Sequence, residues 1–108
     1  MHDRDNRPNS ELYRLAAKEW VALDSAANLL EETKSAVLSQ RMRALGDMPV
    51  SRAELLVKAS PEWMDFVTKM VKARESANLA KVKVEWLRMR GIEHQASEAT
   101  RRAEMRLA

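Results

Sequence analysis

Basic side chains recur at helical spacing in the second half of the chain, with an indole ring among them. Steps of three and four residues keep side chains on one edge of a helix. Lysine and arginine bind phosphates, and an indole can stack on an unpaired base. The pattern predicts a surface for a single-stranded polyanion, in which Lys69, Lys72, Lys83 and Arg90 contact phosphates and Trp86 stacks. We call this surface the basic line. It contains no acidic residue and consists of Lys69, Lys72, Ser76, Leu79, Lys83, Trp86 and Arg90.

The basic line also has a purely structural interpretation. Runs of charge are commonly solvated helix faces. In that case the lysines and arginine are solvent-exposed, and Trp86 belongs to the core or to a contact between subunits. The residue pattern leaves both interpretations open.

Two apolar faces accompany the basic line on the helix expected to begin at Pro61. The first face contains Phe66, Met70, Ala73, Ala77, Ala80, Val84 and Leu87. The second lies about 150° away and contains Met64, Val67, Val71, Asn78, Val82 and Met89. A helix with two apolar faces needs two partners. We expect the N-terminal half of the chain to cover the first face and a second copy of the protein to cover the second, which makes Met64, Val67, Val71, Val82 and Met89 an oligomer interface.

A third set of cations lies beside the first apolar face. Arg74, Lys81 and Arg88 are spaced by sevens. If the protein self-associates, residues at this spacing can pair with Glu or Asp across the interface between copies.

The elements that position these residues are long helices. The 108 residues include only two glycines and three prolines, and aromatic residues make up 5%. This composition predicts an all-α fold. We expect a long helical hairpin with a short connecting helix, with helices at about 10–45, 52–59 and 61–107 and a kink at Gly91 left open. Residues 1–9 are expected to form a disordered arm and 10–108 a single domain.

The turns between the helices have their own signals. Gly46 can adopt the left-handed conformation that closes the first helix, and Pro49 prevents its continuation. Ser51 and Glu54 have the spacing of a capping box for the short helix. Ser60 is expected to cap the third helix at its N-terminus.

Composition excludes several classes of protein. There is no cysteine, the only histidines are His2 and His94, and no residues have a metal-binding or nucleophilic spacing. We therefore expect neither an enzyme nor a cofactor or metal. No apolar run approaches the length of about 18 residues that spans a membrane. The net charge is +3, with the surplus in the second half, which favours an anionic partner for the later helix.

Residues 80–91, AKVKVEWLRMRG, resemble the signature stretch of the UvsY family of phage recombination mediators. That stretch has the order Lys, apolar, basic, apolar, acidic, aromatic and apolar, followed by Arg-Gly. The matching residues here are Lys81, Lys83, Glu85, Trp86 and the pair Arg90 and Gly91.

The resemblance implies a helical protein of phage type that acts in the cytoplasm of a bacterial host. It implies a ring-like oligomer that binds single-stranded DNA and helps a recombinase replace a single-strand-binding protein. It places Lys81, Lys83, Trp86, Arg88 and Arg90 near the DNA.

Two other functions fit the same residues. One is a helical protein-binding module, an inhibitor or adaptor of a nucleic-acid enzyme, whose basic line contacts an acidic protein surface. The other is a structural coiled-coil assembly in which the basic line is solvated.

Overall fold

Three α-helices account for nearly all of residues 7–107, which are the residues that the computed structural model describes. They are α1 (Asn9–Ala44), α2 (Val50–Lys58) and α3 (Pro61–Leu107), and there is no strand in that range. Helices α1 and α3 pack along each other, which gives an elongated molecule of 85 × 27 × 17 Å. The predicted all-α hairpin with a short connecting helix is confirmed. Most of the predicted arm, residues 1–6, lies outside the described range.

The turns follow two of the three sequence signals. Gly46 has a φ of 94°, the left-handed conformation predicted for it. The Ser60 hydroxyl accepts a hydrogen bond from the backbone N–H of Trp63 at 3.2 Å, so Ser60 caps α3 as expected. These two residues define the ends of the connection that carries α2.

The predicted capping box at Ser51 and Glu54 is wrong. Helix α2 begins at Val50, and Pro49 occupies the capping position without a side-chain hydrogen bond. The Pro49 carbonyl accepts the first helical bond from the N–H of Ala53 at 3.0 Å. Since Ser51 already lies inside the first turn, its hydroxyl is not placed as a cap, and Glu54 instead forms an ion pair with Lys58 at 2.7 Å.

The core lies between α1 and the first apolar face of α3. Ala77, Ala80, Val84 and Leu87 are buried, and Phe66, Met70 and Ala73 are half-buried, as the spacing predicts. Ala27 and Ala77 are fully buried, so small side chains allow the two helices to approach closely. Near the turn, the rings of Trp63 and Phe66 stack with centroids 5.6 Å apart.

Helix α3 extends beyond the start of α1. Asn9 and Ser10 of α1 lie beside Gly91 and Gln95 of α3, at one surface depression. The helix continues through Gly91 without interruption. Past this point nearly every residue up to Leu107 is exposed, which leaves the last three turns as a single helix among the described residues.

Candidate nucleic-acid interface

The basic line lies along one edge of α3. All seven of its residues are exposed. From Lys69 to Arg90 it extends about 32 Å at ~1.5 Å per residue. Apart from Arg90 beside Trp86, none of its cations forms an ion pair or ring contact among the described residues. Its lysine ammonium groups are therefore available to an anionic partner.

Trp86 and Arg90 contact each other on this edge. The indole is 54% exposed, and the Arg90 guanidinium carbon lies 4.9 Å from the ring centroid. An arginine over an indole face is a cation–π contact, worth about 0.5–1 kcal/mol at exposed sites. The arrangement places a positive charge directly beside an accessible aromatic ring.

Acidic side chains border the basic line at two points. Glu19 and Leu23 of α1 lie beside Lys83 at a shallow depression. Asp65 is exposed one turn before Lys69. The cations of the basic line therefore lie toward its two ends, with the uncharged Ser76 and Leu79 between them, and carboxylates flank both groups of cations.

Lys81 and Arg88 do not join the basic line. A two-residue step turns an α-helix by about 200°, so Lys81 projects to the opposite edge from Lys83. The Lys81 ammonium lies 5.9 Å from the centroid of the Trp20 ring on α1. Arg88 lies with Tyr13 and His94 beside the start of α1. The seven residues predicted to bind nucleic acid therefore form a group of five on one edge and a pair on the other.

Arg74 is the strongest polar link between the two long helices. Its guanidinium donates hydrogen bonds to Asp24 at 2.7 Å, to Asn28 at 2.6 Å and to both carboxylate oxygens of Glu31 at 2.8 and 2.9 Å. The hydrogen bond that Arg74 donates holds the pKa of Glu31 below its usual value, and the bonds that Glu31 and Asp24 accept raise the pKa of Arg74. Arg74 does pair with acidic residues, but they belong to its own chain and not, as expected, to a second copy.

The second apolar face is uncovered. Met64, Val71, Val82 and Met89 are 61%, 48%, 61% and 55% exposed, and Val67 is half-buried. Helix α1 packs on a different side of α3, so among these five residues only Val67 is partly covered within the described chain. The surface beside the basic line is therefore apolar as well as cationic.

Sequence reasoning missed the role of Trp20. Its indole packs against the α1–α3 core and also lies under Lys81. Only the hairpin register reveals that contact, because the two residues are distant in the chain.

Residues 7–107 contain no group of three or more His, Cys, Asp or Glu that could hold a metal ion. Within the same range, no helix combines the length and the apolar character needed to cross a membrane.

Comparisons with known proteins identify no relative: no known protein family, curated protein or solved structure matches this chain. The function must therefore be argued from the chain's own surface.

Proposed function

We propose that this chain is a non-enzymatic, oligomeric accessory protein that binds single-stranded DNA along the basic line. The observation that carries the proposal is the exposed series of Lys69, Lys72, Lys83 and Arg90 with the half-exposed Trp86 among them. Backbone phosphates contact the cations and one or more unpaired bases stack on the indole.

The spacing of the cations suits a flexible strand. Lys69, Lys72, Lys83 and Arg90 follow a path of about 32 Å, whereas a rigid double helix would meet a straight line of charges at only a few phosphates. An exposed ring adds stacking energy only for bases that are not already paired and stacked. Both features favour the single strand over the duplex.

The role within DNA metabolism rests on the resemblance of residues 80–91 to the UvsY family. By that resemblance the protein is of phage type, assembles into a ring-like oligomer, and helps a recombinase displace a single-strand-binding protein. Lys83, Trp86 and Arg90 belong both to the stretch that resembles the UvsY family and to the basic line. Lys81 and Arg88 belong to that stretch but not to the basic line. They contact DNA only if the strand crosses to the other edge of α3.

The test is a double substitution, Lys83→Ala with Arg90→Ala. Losing two phosphate contacts should weaken binding of a labelled oligonucleotide and flatten the slope of log affinity against log salt by about 1.4. Fluorescence anisotropy over a salt series measures both quantities. The matched control is Lys18→Ala with Lys34→Ala, which removes the same charge from exposed positions on α1. Equal loss in both variants, or no loss in either while circular dichroism shows a folded helix, rejects the basic line as the DNA site.

A second candidate is the helical protein-binding module. The observation that favours it is the apolar second face directly beside the basic line, since a mixed apolar and cationic surface suits an acidic protein partner. This function predicts no salt-sensitive shift with a bare oligonucleotide.

A further inference from the structure

The exposed apolar residues of α3 form a symmetric pattern along the helix. Met64 and Met89 are equally far from the midpoint between Ser76 and Ala77, and so are Val71 and Val82. All four are exposed. When two copies of one helix pair in antiparallel orientation about a two-fold axis, each residue meets its mirror position on the other copy. The pattern is therefore self-complementary in that orientation.

We propose that α3 pairs antiparallel with α3 of a second copy, about a two-fold axis that passes between Ser76 and Ala77. Met64 then packs against Met89 of the partner subunit, and Val71 against Val82 of the partner subunit. This pairing rests on the self-association in the proposed function and specifies the face, the orientation and the register of one contact. Because a two-fold contact closes at two copies, a ring-like oligomer needs a further contact between such pairs.

The polar residues at the centre of the face fit this register. Glu75 and Asn78 are also equally far from the same midpoint, and both are exposed. The Asn78 amide can donate to the carboxylate of the partner subunit's Glu75, and the symmetric bond forms on the other side of the axis. A parallel, in-register pair would instead bring Glu75 level with its own copy. A few polar residues in an apolar helix interface commonly fix register and orientation.

The proposed contact is long enough for a stable dimer. Residues 61–92 of the two copies overlap over about 48 Å, and residues 93–107 continue about 22 Å toward the partner's turn region. Leu55 and Leu56 in that region are 70% and 45% exposed. The overlap of about 48 Å and the extension of about 22 Å at each end, taken as a strip about 10 Å wide, bury about 900 Å² per copy. Standard interfaces bury about 800 Å² per partner. The exposed end of α3 thereby gains a neighbour.

Antiparallel pairing also brings the positive charges of the two copies onto one surface of the dimer. A two-fold axis perpendicular to the helices keeps equivalent edges on the same side of the pair, so both basic lines lie on one face. Lys72 then lies nearly level with the partner subunit's Lys83, and Asp65 with the partner subunit's Arg90. The lysines repel each other, whereas the end residues attract. A bound phosphate chain relieves the repulsion between the lysines.

Cross-linking between two variants tests the register, because the chain contains no cysteine. Met64→Cys mixed with Met89→Cys should give a covalent dimer with a short thiol cross-linker. Met64→Cys alone should not, since its two copies would lie about 38 Å apart. In light scattering, Val82→Glu should reduce the assembly, whereas Val21→Glu, at an α1 position 59% exposed, should leave it unchanged.

The outcomes separate this pairing from DNA binding. A cross-linked mixed dimer that does not bind the oligonucleotide supports the pairing and counts against the proposed function. A monomer at high concentration, or cross-linking of Met64→Cys with itself, overturns the antiparallel pairing whether or not DNA binds.

Discussion

Arg74 shows how one side chain can set the register of two long helices. Most of the α1 and α3 contact consists of small or aliphatic side chains, which would tolerate sliding. The guanidinium reaches three side chains that span two turns of α1 and bonds to Asp24, Asn28 and Glu31 at once. The planar guanidinium of arginine has five N–H donors and can make all of these bonds at once, whereas the ammonium group of lysine cannot. The polar cluster is therefore specific to arginine.

We expect Arg74→Ala to lower the thermal unfolding midpoint and Arg74→Lys to recover only part of the loss. The reason is that alanine removes every bond to α1, while lysine restores the charge without the bidentate geometry. Thermal unfolding followed by circular dichroism at neutral pH measures both. Arg101→Ala, which breaks only an exposed pair with Glu98 on the same helix, is the control and should change little. An Arg74→Lys variant as stable as the original would contradict the role given to the fork.

The Glu31 carboxyl makes this cluster sensitive to acid. Arg74 lowers the pKa of Glu31 in the folded chain, so the folded state holds that proton less readily than the unfolded state. The stabilisation is complete above the ordinary glutamate pKa of about 4.3 and is lost as pH falls through the lower folded pKa. Glu31→Gln should therefore be less stable than the original chain at pH 7, and the difference should shrink at pH 3. A difference that grows in acid would reverse the assigned sign.

Trp86 offers a separate test at the residue scale. Trp86→Leu keeps an apolar side chain but removes the ring, so each stacked base lost should cost about 1–3 kcal/mol of binding free energy. Trp86→Phe should retain part of that energy. Anisotropy titrations at fixed salt give the affinities, and the salt slope should stay unchanged because no phosphate contact is removed. Equal affinities for Trp86→Leu and the original chain would exclude stacking.

Among the elements, α3 has one side that packs in the core and other sides that are open to partners. Its first face builds the core with α1, whereas its basic line and most of its second apolar face remain exposed. We expect Leu87→Ala, at a position 6% exposed, to destabilise the protein by about 2–5 kcal/mol. Leu29→Ala, at an α1 position 62% exposed, is the matched control and should stay within about 0.5 kcal/mol. Urea unfolding measures both, and equal effects would mean that α1 and α3 do not pack as described.

Gly91 weakens a helix that nevertheless continues through it. A Cβ added at Gly91 meets nothing within 4 Å, so Gly91→Ala should stabilise α3 by about 1 kcal/mol. Gly46→Ala should do the opposite, because Gly46 has a φ of 94° that other residues adopt only with strain. Thermal unfolding of the two variants checks the pair. A loss of stability in Gly91→Ala would show that the glycine is needed for a bend or a close contact.

The sequence predicted the elements better than the relation between them. Helical spacing placed Val84 and Leu87 in the core, and Gly46 and Ser60 marked the turn, because these signals are local. The capping box failed because Pro49 starts α2 two residues earlier than Ser51 would require. The separation of Lys81 from Lys83 follows from helix geometry, but its consequence depends on where α1 packs. The contacts of Arg74 and Trp20 needed the hairpin register, which no local pattern specifies.

On the scale of the whole molecule, an 85 Å hairpin only 17 Å thick buries little of its surface. Small side chains dominate its core, and the second face of α3 stays exposed. Burial of apolar surface is the main stabilising contribution to folding, and it falls with small size and elongated shape. Self-association would cover the exposed face and bring the basic lines of two copies together. Assembly and DNA binding would then be linked.

The most direct test of DNA binding by the assembled protein is light scattering coupled to size exclusion. The protein is run with and without a labelled single strand of about 30 nucleotides, at low and at moderate salt. We predict a multi-subunit particle that carries the strand at low salt and releases it as the salt concentration rises. A particle that elutes without the strand at every salt concentration would contradict DNA binding along the basic line.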